Sequence, residues 1–249
     1  MKFWSVAVAA ALLTVSAQAQ DYIPYLDSQA ANMQYGQMLE ANMSDDNPRS
    51  AAVVPRAGGL AGLAGTAYFK QPARIDAAPV SFAYKSTAAL RQDAAASYVK
   101  RVRASDANAG RLIAAEIAKN DFSRVYAGIV KPFGYRSDDA ADSLAAYTLL
   151  GWLIATGASD PTPSQARAVR IQIAQQMAKN TQLSAPAIRG ELGEELKLLF
   201  VTLHAGWQSA RREGNLQQYS DGVTAMFKKF TGNNLRAMQL TERGFVRRQ

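Results

Sequence analysis

The sequence predicts an all-α protein: a compact bundle of about six or seven helices behind a largely irregular N-terminal extension. Three observations carry this. Apolar residues recur at three- and four-residue spacing from Ser86 onward, the period of a helix with one buried face. Cap and stop residues punctuate the same stretch. The period-two alternation that strands need is nearly absent.

The chain opens with Lys2, an apolar run of thirteen residues from Phe3 to Val15, and Ser16-Ala17-Gln18-Ala19. A positive start, an apolar core of ~7–15 residues and an A-x-A site make a cleavable export signal, residues 1–19. A membrane helix needs ~20 apolar residues, so this run is too short to span. Residues 20–85 read as a flexible or weakly structured leader. Tyr22 to Leu26 is an apolar patch broken by Pro24, and Met33, Met38 and Leu39 make a weak helical pattern. Asp45-Asp46-Asn47-Pro48 is a breaker. Ala57 to Ala67 is a Gly/Ala/Leu tract of linker composition. Val80 to Tyr84 alternates briefly and predicts an extended strap.

Residues 86–249 read as the helical domain. Ser86 or Thr87 opens a first helix with Leu90, Ala94, Tyr98 and Val102 on one side. Ser105-Asp106 opens a second, with Ile113 and Ile117 inward. Asp121 opens a short third that Pro132-Phe133-Gly134 ends. Ser137 caps a fourth, with Asp138 and Asp139 in the first turn, where acids suit the helix dipole; Gly157 stops it. Thr162-Pro163-Ser164-Gln165 is a capping box with Pro at the first helical position. It starts a fifth helix carrying Val169, Ile173 and Met177. Ser184 opens a long sixth that closes near Gly214. A seventh runs from about Leu216 to Phe230, and Asn234 to Phe245 forms a short terminal element.

The fourth helix is apolar almost all round from Leu144 to Ile154, and the sixth carries Leu192, Leu196, Leu199, Leu203 and Trp207. Helices of this kind are central. Each contains a Gly-Trp pair, Gly151-Trp152 and Gly206-Trp207. Glycine within a helix costs ~1 kcal/mol against Ala and implies a packing reason. The expectation is that these two helices cross closely, each glycine notch admitting the other's bulky side chains.

Composition excludes several classes. There is no cysteine, so neither disulfides nor a lipidated N-terminal cysteine are open to the exported chain. No later apolar run is long enough for a span; Leu144 to Ala158 reads as a core helix. Charge is uneven: residues 20–85 hold five basic and six acidic groups, residues 86–249 twenty-two and fourteen. A basic exported domain implies a protein partner or an anionic envelope partner, with no nucleic acid expected.

Candidate chemistry is sparse. His204 is the single histidine; with no cysteine or second histidine it cannot complete a zinc site, and it reads as a packing or surface residue. No cofactor loop is present: Gly59 to Gly65 lacks the Lys-Ser/Thr of a P-loop. The stretch Asp106 to Gly110 resembles half a calcium loop, but Ile117 stands where a bidentate Glu is required. Glu191, Glu194 and Glu195 share the start of the sixth helix. Asp142 lies next to the apolar Leu144 face, which predicts a partly buried carboxylate. It either pairs with Arg167 or Arg170 or acts as a catalytic acid.

These residues resemble an uncharacterised family of exported bacterial proteins carrying domain of unknown function 6683. The resemblance runs from about Val80 to Phe245. It rests on Phe82-Ala83-Tyr84, on Pro132-Phe133-Gly134-Tyr135, and on Asp142, Ala146-Tyr147 and Trp152. It continues through Pro161-Thr162-Pro163 with Gln165, Arg167 and Arg170, and ends on Leu240-Thr241-Glu242-Arg243-Gly244-Phe245. Relatives often carry a second aromatic where this chain has Thr148. The resemblance implies a helical exported domain and no activity. Together these readings predict a periplasmic or secreted, non-enzymatic interaction module whose binding residues are Asp142, Tyr147, Trp152, Arg167 and Arg170. A cell-wall hydrolase using Asp142 or Glu194/Glu195, and a secreted effector, are the other readings; a hydrolase requires a cleft with two carboxyls ~5–9.5 Å apart.

Overall fold

The computed structural model describes residues 71–76, 79–232 and 234–248. The export signal, the 22–26 patch, the helical pattern at 33–39, the 45–48 breaker and the 57–67 tract lie outside the described residues.

The described part is an all-α bundle. Its seven helices are α1 (Ala88–Ser105), α2 (Ala107–Lys119), α3 (Phe122–Val130), α4 (Ala140–Thr156), α5 (Pro163–Met177), α6 (Pro186–Glu213) and α7 (Leu216–Thr231). Local chemistry sets most of the starts. The Thr87 hydroxyl accepts from the Leu90 N–H. Asp106 and Asp121 each accept from two backbone N–H groups of α2 and α3. The capping box of α5 is complete, Thr162 accepting from Gln165 N and Gln165 Oε1 from Thr162 N. Gly157 and Gly214 end α4 and α6 in the left-handed conformation, at φ 63° and 75°, which glycine adopts without a Cβ penalty.

Two starts differ from the expected ones. Asp139, not Ser137, caps α4 and accepts from Ala141 N and Asp142 N. The reason is tertiary: the other oxygen of Asp139 serves Phe82 N at 2.9 Å. Residues 181–184 form a separate 3-10 turn, and α6 begins at Pro186 with no side-chain cap. The Ser184 hydroxyl turns back to Thr181 O instead.

α4 lies at the centre. From Ala140 to Ala155 every residue except Tyr147 is buried. It contacts α5, α6 and α7, most extensively α6. The terminal element is a hairpin, β1 (Met238–Thr241) antiparallel to β2 (Gly244–Arg247). Residues 71–74 run beside β2 in the opposite direction: Ala73 N donates to Arg243 O, and Gln172 Nε2 donates to both Gln71 O and Phe245 O. Gln172 Oε1 takes the Phe245 N–H, so one buried amide on α5 holds both segments. The alternating stretch at 80–84 is an extended strap. Ala140 N bonds Phe82 O and Tyr84 N bonds Asp138 O, fixing it across the start of α4.

The Gly-Trp pairs act differently from the expectation. α4 and α6 do cross, but both glycines face α7. A Cβ on Gly151 would lie 2.4 Å from the Phe227 ring, and one on Gly206 2.4 Å from the Tyr219 hydroxyl. That hydroxyl donates to Leu203 O at 2.9 Å, so the α6 notch seats a bonded tyrosine.

Gly206→Ala is therefore expected to destabilise by ~1–3 kcal/mol through overpacking. Gly128→Ala, in open space on α3, is expected to stabilise by up to ~1 kcal/mol. Urea unfolding of the two variants reads both signs.

Candidate functional site

The predicted binding residues sit on two helices. On α4, Asp142, Tyr147 and Trp152 are five residues apart. That spacing turns each about 140° from the last around the axis, so the three face three different neighbours.

Asp142 faces α5. Its Oδ1 accepts from Arg170 Nε at 2.7 Å, and its Oδ2 accepts from Arg136 N at 2.8 Å and Arg136 Nε at 3.4 Å. Asp139 completes the cluster. Its Oδ2 accepts from Arg136 and from Arg170 Nη2 at 3.3 Å, beside the Phe82 N–H. Asp139 and Asp142 are buried, Arg170 is half-buried and Arg136 exposed. Two carboxylates thus share two guanidiniums, and each carboxylate oxygen is occupied.

Tyr147 faces α7. Its ring packs against Phe227 at 5.0 Å and its hydroxyl reaches Met226 Sδ. Burial pushes its phenol above the ordinary range. Trp152 faces the hairpin: Nε1 donates to Met238 O at 3.1 Å and the indole packs on Phe245. Arg167 lies exposed on α5 and forms no ion pair among the described residues. Of the five, only Asp142 and Arg170 meet. Tyr147 and Trp152 secure α7 and the hairpin, so the five residues do not converge.

Glu194 and Glu195 of α6 are engaged as well. Glu194 and Lys197 are fully buried and paired at 2.8 Å. Lys197 Nζ also donates to Ser123 Oγ and Ser137 O, both at 3.0 Å. Burial draws its ammonium below the usual lysine range, against the pull of Glu194. Three acceptors around three N–H donors is the arrangement of a charged, structural lysine. Glu195 pairs with Arg101 at 2.5 Å; burial raises its carboxyl and Arg101 partly offsets that. Among the described residues no group of three His, Asp or Glu could hold a metal ion.

His204 lies in an aromatic ladder on α6. Its ring stacks parallel to Phe200 at 6.3 Å and edge-on to Trp207 at 6.2 Å; Arg211 sits over the Trp207 ring at 4.3 Å. Nε2 contacts Gln208. Burial, helped by Arg211, lowers its pKa to about 4. A ring this reluctant to protonate is poorly suited to general base work near neutral pH.

Sequence reasoning missed Arg136 and Lys197, and it read Asp139 as a first-turn acid, not as the cap and the hub of the cluster. Asp139 carried a signal, as an acid at a helix start. Lys197 carried none, because its acceptors on Ser123 and Ser137 are far away in sequence.

Scanned against protein-family models, curated proteins and solved structures, the chain matches none.

A histidine whose folded pKa is depressed binds fewer protons folded than unfolded, so stability falls as pH drops from the unfolded value near 6.5 toward 4. Between pH 6.5 and 5, His204 is expected to contribute a loss on the order of 1–2 kcal/mol. Urea unfolding across that window checks it: His204→Phe should flatten the profile, and an unchanged slope would contradict the assignment.

Proposed function

We propose that this chain is an exported, non-enzymatic interaction module whose helical domain presents a surface to an envelope or protein partner. The observation that carries the reading is the state of its carboxylates. Asp139, Asp142, Glu194 and Glu195 each take an arginine or lysine. A nucleophile needs a free oxygen aimed at substrate; Asp139 and Asp142 have both oxygens occupied, Glu195 is held by Arg101, and Glu194 is fully buried against Lys197, out of reach of solvent. Scaffolding serves a module that binds through its outside. The N-terminal Lys2, apolar run and Ala17-Gln18-Ala19 support export to the periplasm or beyond. Membership in the uncharacterised exported family belongs to the same proposal, as does the absence of a nucleic-acid partner. No helix among the described residues is long and apolar enough to cross a membrane.

Expression with a C-terminal tag, followed by fractionation and in vivo crosslinking, tests this. The expected product starts at Gln20, lies in the envelope or medium and crosslinks to a discrete partner. Purified product should leave cell-wall substrate intact. Clearing of that substrate, lost in Glu195→Gln with the fold retained, would establish the hydrolase instead.

A further inference from the structure

Part of the basic surface gathers at one place in the fold. The hairpin turn, α5 and residues 71–76 meet along one seam. The bonds from Ala73 N to Arg243 O, between Arg74 and Gln175, and from Ser164 to Glu242 define it. Five exposed arginines lie on these segments and on the hairpin strand that leaves the turn: Arg74, Arg167, Arg243, Arg247 and, just past β2, Arg248. None forms an ion pair among the described residues, whereas Arg101, Arg136, Arg170 and Arg236 each hold a carboxylate. The seam's own acids are Asp76 and Glu242, and Glu242 already accepts from the Ser164 hydroxyl. Beside Arg74 stands Ile75, 51% exposed; with Leu216 it is one of two exposed large hydrophobics among the described residues.

We propose that this seam docks on an anionic phospholipid bilayer. This rests on the envelope-binding reading above and names the partner. Two features select a lipid surface. Guanidinium is weakly hydrated and takes phosphate oxygens in pairs, so an all-arginine patch fits a layer of phosphate headgroups. An exposed isoleucine among arginines suits an interface whose headgroups cover an apolar layer; a soluble polyanion offers it nothing. The arginines come from segments far apart in sequence, so the surface exists only in the folded protein. Gln172 assembles it by holding residue 71 and β2 together.

The test is cosedimentation of the chain lacking residues 1–19 with vesicles of phosphatidylcholine alone or with phosphatidylglycerol added. Binding is expected only to the anionic vesicles, and high salt should release it. Reversal of three seam charges, Arg74→Glu, Arg243→Glu and Arg247→Glu, should weaken it by at least about 100-fold. Reversal of Lys100, Arg212 and Lys228 to Glu makes the same change in net charge elsewhere and should weaken it far less. Ile75→Asp should reduce vesicle binding and leave binding to soluble polyphosphate unchanged. Far-UV circular dichroism confirms that each variant is folded. Equal binding to neutral vesicles would overturn the proposal, as would equal loss in the two charge-reversed variants or indifference to Ile75→Asp. A discrete protein crosslink in cells without vesicle binding would overturn this proposal alone; no crosslink and no envelope location would remove the reading beneath it.

Discussion

The bundle depends on one buried charge cluster. Asp139 and Asp142 are removed from water at the start of α4, which costs several kcal/mol per ion unless each is paired and hydrogen-bonded. Here both are. Asp139 caps α4, receives the strap through Phe82 N, and binds Arg136 and Arg170; Asp142 binds the same two arginines. Four segments are set by this knot: the strap, the turn before α4, α4 itself and α5. Removing one member would leave the charges it faced with a single partner each.

The same device recurs on α6. Lys197 and Glu194 form a second buried pair, and Lys197 reaches Ser123 on α3 and Ser137 O beside the first cluster. Tyr84, at the end of the strap, lies over Lys197. Its phenol is held above the ordinary range by burial first and Glu194 second. Charge is thus used to register helices around an apolar core. That use supports an interaction module, because the residues best suited to catalysis are occupied in assembly and the unpaired arginines lie outside.

Much of this was legible locally. The caps at Asp106, Asp121 and Thr162 and the glycine stops at 157 and 214 depend on a few neighbouring residues, and they stand where the sequence places them. So does the all-round apolar character of α4. Long-range chemistry was less legible. Ser137 and Asp139 are equally good caps by composition; Phe82 and the two arginines decide between them. Asp142 and Arg170 form the pair that burial beside Leu144 implied, but Tyr147 and Trp152 diverge because a five-residue step does not preserve a helix face. The hairpin carried a faint signal in Met238-Gln239-Leu240 and in Gly244, at φ 82°, too short to outweigh the helical pattern before it. Gly151 and Gly206 announced close approach correctly and named the wrong neighbour, since a notch does not say which helix fills it.

The claim that buried charge pairing organises the fold is tested most directly by a double-mutant cycle on Asp142 and Arg170. Chemical denaturation would be measured for Asp142→Leu, Arg170→Met and the pair together. Each single change should destabilise by up to about 3–5 kcal/mol, because the charge left behind keeps only one of its two partners, and the double should recover part of that. The expected coupling is about 1.5–3 kcal/mol. Losses that add to within about 0.5 kcal/mol would mean the two side chains act independently, and the account would fail.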